Sequence, residues 1–457
     1  MRRQQAATSR RVAFELLEKV EFDDAYANLA LPKLLTEANL TKRDSALAQE
    51  LAFGTIRWQL FYDEVIEIAA KRPLEEIDAD ALLILRLGAH QILGMRTAVH
   101  AALSETVELA KQVLPQRLVG FTNAVLRRVS EKDRDSWMQK ALAGLDDEND
   151  RLAVSQSHPV WMVRALRQAL KIEGREHELK ALLACNNEPA RVDLVALPSR
   201  LTVEQFLKNH GNLLPATRSP FAAVLESGAP SDLDEIRDGI ARVQDQGSQL
   251  MAIALVDQRT VAPGEQWLDM CAGPGGKAAL LASLAELTDA KLLCNESQPH
   301  RAKLVEQAIS AVSSHAKVQI GDGRGIGERL PNRFDRILLD APCSGLGALR
   351  RRPEARWRKS PNDIAELVQL QRELLASAAK ALKAGGLLAY VTCSPHPSET
   401  AAQVDWVQKN LTDLELVQIS SNHLPIEAGR KTVQLWPHVQ GTDAMFIAMF
   451  QKKTAAG

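Results

Sequence analysis

The sequence predicts a multidomain chain: an all-α N-terminal domain over residues 1–145, an α+β connector over 146–245, and an α/β domain with a largely parallel sheet over 246–457. Three observations predict it. At 457 residues the chain is too long for one ordinary hydrophobic core. Apolar residues recur at helical spacing before residue 130, and aromatics are only 4% of a chain rich in Ala and Leu. After residue 245 short apolar strands alternate with helical stretches, which is the pattern of an α/β sheet.

In the N-terminal part, Val99 to Leu114 places Leu103, Val107, Ala110 and Leu114 on one helical face. Breaks at Leu40-Thr41, Lys71-Arg72-Pro73 and Gly120 divide several such pieces. The stretch Glu131 to Asp150 is rich in Asp, Lys and Glu, which puts a boundary near 145. Residues 155–245 mix helical patterns with β-like pieces such as Ala190 to Leu197. Five strands follow: Gln266–Met270, Lys291–Asn295, Lys317–Gly321, Arg336–Asp340 and Gly386–Thr392, with helical patterns such as Ile364 to Leu382 between them. Ligands of such sheets bind beyond the carboxyl ends of the strands, so the residues just after each strand matter most.

A 46% hydrophobic and 25% charged composition describes a soluble globular chain. No apolar run reaches the roughly 18 residues that span a bilayer. Met1-Arg2-Arg3 leads into an amphipathic stretch containing Lys and Glu, unlike a signal peptide, so the expected location is cytoplasmic, with no membrane partner. The net charge is −1, and residues 1–145 carry as many acidic as basic side chains. Any nucleic-acid affinity must then come from local patches. Five widely spaced cysteines without a C-x-x-C pair argue against a disulfide framework or a zinc site, and no metal is expected.

The strand ends hold the unusual residues. Asp269-Met270-Cys271-Ala272-Gly273-Pro274-Gly275-Gly276-Lys277 precedes an Ala/Leu helix, where small residues let a ligand approach the helix N-terminal amides. The spacing is not G-x-G-x-x-G, so a dinucleotide fingerprint is not met, and a plain tight turn remains the alternative. Glu296 ends the second strand where a ribose-binding carboxylate sits in such sheets. Asp322 follows the third strand. Each alone suits an ordinary loop; three at successive strand ends favour a nucleoside cofactor. Cys343, in Asp340-Ala341-Pro342-Cys343-Ser344-Gly345, and Cys393, in Thr392-Cys393-Ser394, lie just past two further strands. If those strands are neighbours, about 4.8 Å apart, both thiols face one crevice. Catalysis needs a thiolate, and Lys277 and the helix N-terminus are candidates for the activating positive potential. Core filling is the alternative for both cysteines. Arg350, Arg351, Arg352, Arg356, Trp357, Arg358 and Lys359 form a basic run beside the Cys343 loop that suits phosphate contacts and base stacking, with a solvated surface helix as the alternative.

These elements together resemble the RNA cytosine-C5 methyltransferases of the NOL1/NOP2/Sun family, whose motifs are C-A-x-P-G-G-K, D-A-P-C-S-G and T-C-S. Here they stand at Cys271 to Lys277, Asp340 to Gly345 and Thr392 to Ser394, with Gln244 to Gln249 preceding the sheet. The resemblance runs from about residue 150 to the C-terminus. Ile84 to Ala89, Glu105 to Lys111 and Phe121 to Arg127 resemble the NusB RNA-binding helical domain. The fusion resembles the RsmB (Fmu/Sun) branch, which implies a Rossmann-like methyltransferase domain acting on 16S ribosomal RNA, usually at cytosine 967; a monomer is expected, though the sequence does not give the oligomeric state. The resemblance further implies that Cys271, Ala272, Gly273, Pro274, Gly275, Gly276 and Lys277 surround the methionine part of S-adenosylmethionine. Glu296 would bind its ribose, Asp322 its adenine end, and Asp340 would lie beside the methyl group and bond the target base. Cys393 would be the nucleophile, and Cys343 would assist product release.

Several positions depart from the family pattern. Gly273 stands where many members have Ala, a small-for-small change expected to be tolerated. Glu296 stands for the commoner Asp. Gly441 to Phe446 differs from the usual D-G-F-F, and Gln434 stands where Arg is frequent. The rival readings are a methyltransferase for tRNA or another rRNA cytosine, a DNA cytosine methyltransferase, a non-catalytic NusB-like antitermination factor, and a nicotinamide dehydrogenase. The second cysteine motif disfavours the DNA enzyme, and the intact motifs disfavour the non-catalytic factor. The missing dinucleotide fingerprint disfavours the dehydrogenase.

Overall fold

A computed structural model describes residues 8–454; Met1-Arg2-Arg3 and the ends of the first and last expected domains lie outside the described residues. Contacts divide the chain into two compact units, one running to Glu188 and including Leu349–Arg358, the other comprising Pro189–Ala348 and the chain from Lys359 onward. The expected three-part division differs from this grouping. The helices Glu148–Gln156, Val160–Ile172 and Leu179–Cys185 group with the first unit, whereas the β-rich remainder of the 146–245 connector groups with the second.

The first unit is helical throughout. Seven helices from Ser9–Phe22 to Gln116–Val129 surround a core that includes Leu16, Leu51, Phe61, Tyr62, Ile84, Val125 and Leu126. Asp78, Asp133 and Asp147 cap helix N-termini by accepting backbone N–H bonds, each contribution typically about 1 kcal/mol. The helix Val99–Val113 forms as expected, but its buried face is rotated by about one residue: Ala102, Thr106, Leu109 and Ala110 are buried while Leu103 and Val107 lie at the margin. A polar Thr106 is accommodated because its hydroxyl donates to Ala102 O (2.7 Å) and accepts from Gln91 Nε2 (2.9 Å). Gly120 is not a break. It lies inside Gln116–Val129, and the interruption falls at Leu114-Pro115 instead.

The second unit begins with a four-stranded antiparallel sheet of β1 (Val192–Ala196), β2 (Leu213–Pro215), β3 (Ala222–Leu225) and β4 (Ala241–Val243), ordered β2-β3-β1-β4. The larger sheet contains β5 (Gln266–Asp269), β6 (Lys291–Glu296), β7 (Ala316–Ile320), β8 (Phe334–Asp340), β9 (Leu382–Thr392), β10 (Leu414–Leu416), β11 (Thr432–Gln434) and β12 (Phe446–Lys452). Its order is β10-β12-β9-β8-β5-β6-β7, with β11 on β12. The five strands β5 to β9 pair in parallel, and β12 runs antiparallel to β9. All five expected strands are present, with each end within four residues of its expected place. The central strand β8 is fully buried at Ile337, Leu338 and Leu339, as a parallel strand covered on both faces requires, whereas the edge strand β7 is only partly buried. The helix Pro361–Ala381 covers one face and opens with a Ser360/Asp363 capping box.

Candidate active site

The carboxyl ends of β5, β6, β8 and β9 converge on one crevice. The chain turns out of β5 at Asp269 and enters the helix Gly276–Leu287 through Gly275, whose φ of +108° is open only to glycine without strain. A Cβ there would sit 2.7 Å from Ala308 Cβ. No side chain caps the N-terminus of this helix, so its first N–H groups favour negative groups of a ligand.

Asp269 is 1% exposed, and neither carboxylate oxygen has a hydrogen-bond partner of good geometry. Burial, then the charge of Asp340, pushes its pKa up to about 8 against the opposing pull of Lys277 and the Cys271 amide. The Cys271 thiol is pushed well above its ordinary value by burial, then by Asp269, Asp340 and Glu296. It is therefore a neutral thiol. Lys277 Nζ donates to Asp340 Oδ2 at 2.8 Å. Burial alone lowers the Lys277 pKa, but the Asp340 charge and hydrogen bond, with Cys393 and Asp269, outweigh it, and the net direction is up. Lys277 stays an ammonium group that Cys393 senses.

Glu296 is 4% exposed. Its Oε2 accepts from Gly273 N (3.0 Å), its Oε1 accepts from Gln298 N (2.9 Å), and Arg301 lies 3.7 Å away. Arg301 also donates to Gly273 O at 2.5 Å. A Cβ on residue 273 would overlap Glu296 Oε2 and lie 2.9 Å from Arg301 Nε. The Glu296 carboxylate thus occupies the space a methyl group at 273 would take, so an Ala there requires Glu296 and Arg301 to shift and disturbs the bond to Gly273 N.

Strands β8 and β9 are parallel neighbours, and the Sγ atoms of Cys343 and Cys393 are 3.3 Å apart as free thiols in hydrogen-bond contact. The Cys343 thiol is pushed well up by its bond to Cys393, then by burial, Cys393 charge, Glu399 and Asp340. The loops are stitched together by Gly347 N donating to Cys393 O at 2.9 Å. Asp322 lies apart from the buried groups: it is half-exposed and held by Arg324, whose hydrogen bonds lower its pKa. Groups that the sequence did not single out also belong here. Gln244 is 6% exposed with both amide atoms unpaired, and its amide lies 3.8 Å from where a Gly276 Cβ would be. Asn295 Oδ1 is likewise buried and unpaired. Gln244 falls in a motif visible in the sequence; nothing in the sequence alone marks its side chain as unpaired.

The basic run is used differently. Arg356 is fully buried in the helical unit, where it donates to Arg57 O, Ser157 O, Asn186 O and Asn187 Oδ1 at 2.6–3.0 Å. The first three carbonyls end three helices, whose negative dipole ends offset the buried charge. Burial, then Arg57, lowers its pKa to about 9. Arg358 donates to Val20, Asp24 and Ala25 carbonyls, and Trp357 Nε1 donates to Ile56 O. Arg350 is 8% exposed. The exposed basic surface expected for Arg350, Arg356, Trp357 and Arg358 is therefore not what the structure has, because these side chains are spent on intramolecular contacts. Arg351 is half-buried, and Arg352 is exposed with its guanidinium 5.5 Å from the Tyr26 ring.

Among the described residues no group of three or more His, Cys, Asp or Glu is arranged to hold a metal ion, and no helix is long and apolar enough to cross a membrane. The sequence model of the family described as 16S rRNA methyltransferase RsmB/F matches residues 258–451, and that of the NusB family matches residues 7–131. A Mycobacterium tuberculosis protein with a provisional methyltransferase name is 43% identical over 99% of this chain and 98% of its own. The ribosomal RNA small subunit methyltransferase B of Serratia proteamaculans is 31% identical over 92% of this chain and 93% of its own. The crystal structure of PH0851 superposes with a TM-score of 0.82 at 22% identity, covering 97% of this chain and 98% of that one, which shows the shared fold.

Proposed function

Because the chain belongs to the RsmB/F family of 16S rRNA methyltransferases and carries a NusB domain, we propose that it methylates C5 of a cytosine in 16S rRNA, with S-adenosylmethionine as methyl donor. The proposed target is cytosine 967, the chain acting as a cytoplasmic monomer. The observation that carries the reading is the contact of two free thiols at 3.3 Å, beside the Lys277–Asp340 pair.

The residues present fit the donor. The carboxyl groups of Glu296 and Asp340 suit a cationic ligand, and the orphaned polar atoms of Gln244, Asn295 and Asp269 call for a polar one. When bound, S-adenosylmethionine supplies an electrophilic methyl group. Residues 271–277 would hold its methionine part, Glu296 its ribose and Asp322 its adenine end. Cys393, as thiolate, adds to C6 of the cytosine. That addition breaks the ring's aromaticity and makes C5 enamine-like, splitting one difficult step into easier ones. Asp340, held by Lys277, hydrogen-bonds the base near N3 and stabilises the charge that develops there. Loss of the C5 proton to solvent and expulsion of Cys393 finish the cycle, and Cys343 assists this release of the product. The base must be unstacked to enter the crevice. Exposed Arg352, with Arg351 and the exposed ring of Tyr26, is the proposed RNA contact from the basic run.

The test is methyl transfer from labelled donor to unmethylated 16S rRNA with bisulfite mapping. Label on one cytosine supports the reading and names the site. Transfer to tRNA alone would discard the 16S assignment, and label on a purine would discard the chemistry.

A further inference from the structure

A polar layer behind the two thiols has no part in the mechanism above. Glu399, in the turn Pro397–Glu399 beyond β9, has no exposed surface. Its Oε1 accepts from Ser344 N (2.8 Å) and Gln371 Nε2 (3.2 Å), and its Oε2 accepts from Ser344 Oγ (2.5 Å). Ser344 Oγ in turn lies 2.9 Å from Ser394 Oγ. Gln371 also donates to Pro342 O, and Tyr390 OH donates to Glu399 O and Gln371 Oε1. One carboxylate therefore joins the residue after Cys343 to the residue after Cys393.

We propose that Glu399 is a positioning residue that fixes the two cysteine loops in thiol contact and biases the shared proton toward Cys343, leaving Cys393 as the attacking sulfur. The inference rests on the reading of Cys393 as the nucleophile. Two adjacent thiols under one positive potential have no intrinsic reason to ionise in a fixed order. Lys277 supplies that potential from the Cys393 side, already paired to Asp340. Glu399 and Asp340 act against a second anion at Cys343, in the direction its thiol is shifted. Tyr390 also senses Cys343, and His396 senses Glu399. Burial and Glu399 push the Tyr390 hydroxyl up, and burial lowers His396. No bond forms or breaks in this arrangement; the proton rests on Cys343 sulfur while Cys393 attacks.

The experiment is alkylation of the full chain by iodoacetamide across pH, with labelling of each cysteine read by peptide mass spectrometry. Glu399→Gln keeps the shape and removes the charge, so a purely structural role would leave the labelling ratio unmoved. The expected result is a fall of about tenfold in the Cys393-to-Cys343 ratio near neutral pH. In a Cys393→Ser background the Cys343 profile should move down by about one pH unit. An unchanged ratio and profile would overturn the proposal. Should Glu399→Gln not fold, Ser344→Ala removes the hydroxyl between Glu399 and Ser394, and the ratio is expected to fall at least about threefold by the lost hydrogen bond; no fall overturns the proposal equally. A chain that methylates no cytosine would sink the functional reading without touching these ratios, so the two failures are separable.

Discussion

Arg356 and Asp269 are both ionisable residues with almost no exposed surface, yet their surroundings are opposite. Arg356 meets four oxygens, three of them carbonyls at helix ends. Asp269 meets the like charges of Asp340 and Glu296 against the single ammonium of Lys277, and neither oxygen has a hydrogen-bond partner of good geometry. An unsatisfied buried polar group costs about 1–3 kcal/mol, and more if charged, so a fold keeps one only where something else requires it. The difference teaches that burial alone does not mark a site. The two terminal nitrogens of Arg356 are met by oxygens although its Nε is unpaired, which marks a structural clamp, whereas Asp269 has both oxygens unpaired at the strand end where a ligand is expected.

The largest effect expected from this contrast is the pH dependence of stability. Asp269 has a folded pKa of about 8 against an ordinary 3.8, so the folded state holds a proton that the unfolded chain releases. Its contribution is fully present below about pH 4 and is lost as pH rises toward 8, by on the order of 3–5 kcal/mol. Asp269→Asn should flatten denaturant-derived stability over that window; an unchanged slope would remove Asp269 from the account. Next, Arg356→Ala should destabilise the helical unit by about 3 kcal/mol or more, because it uncaps three helix ends. Arg356→Lys should recover little, since an ammonium cannot reproduce the planar fork. Urea titration followed by circular dichroism checks both, and full stability in Arg356→Ala would contradict the clamp.

A smaller effect is expected at Gly273 and Glu296. Gly273→Ala should weaken S-adenosylmethionine binding by about 1–2 kcal/mol, and Glu296→Asp in the same chain should restore it. Calorimetry on the two single variants and the double variant reads the coupling, and additive losses would break the steric account. The smallest effect belongs to Arg352. Arg352→Ala should lower the salt slope of RNA binding by about one while leaving unfolding untouched. A slope equal to that of the wild type would take Arg352 out of the RNA surface.

The parallel sheet was legible because β5 to β9 are short apolar runs ending in chemically distinctive loops, and the motifs placed both cysteines at neighbouring strand ends. The thiol contact itself needed the β8–β9 pairing, which spacing in the chain left conditional. The basic run was misread because six cations in ten residues look like a phosphate surface. The oxygens that hold Arg356 come from residues 169 to 299 positions away, beyond the reach of any local pattern. Gly120 was misread for a simpler reason: an exposed helical glycine costs only about 1 kcal/mol, and the neighbouring helix-forming residues outweigh it. Glu399 gave no signal because its partners, Ser344 and Gln371, come from other segments.

The central claim, that Cys393 attacks cytosine, is tested most directly by trapping. RNA carrying 5-fluorocytosine replaces the C5 proton that must leave with fluorine, so the methylated adduct cannot collapse. The account predicts a denaturation-resistant complex in the wild type, joined through Cys393 on peptide mapping and absent in Cys393→Ala. A complex joined through Cys343, or no complex from a chain that methylates the same RNA made with ordinary cytosine, would contradict it.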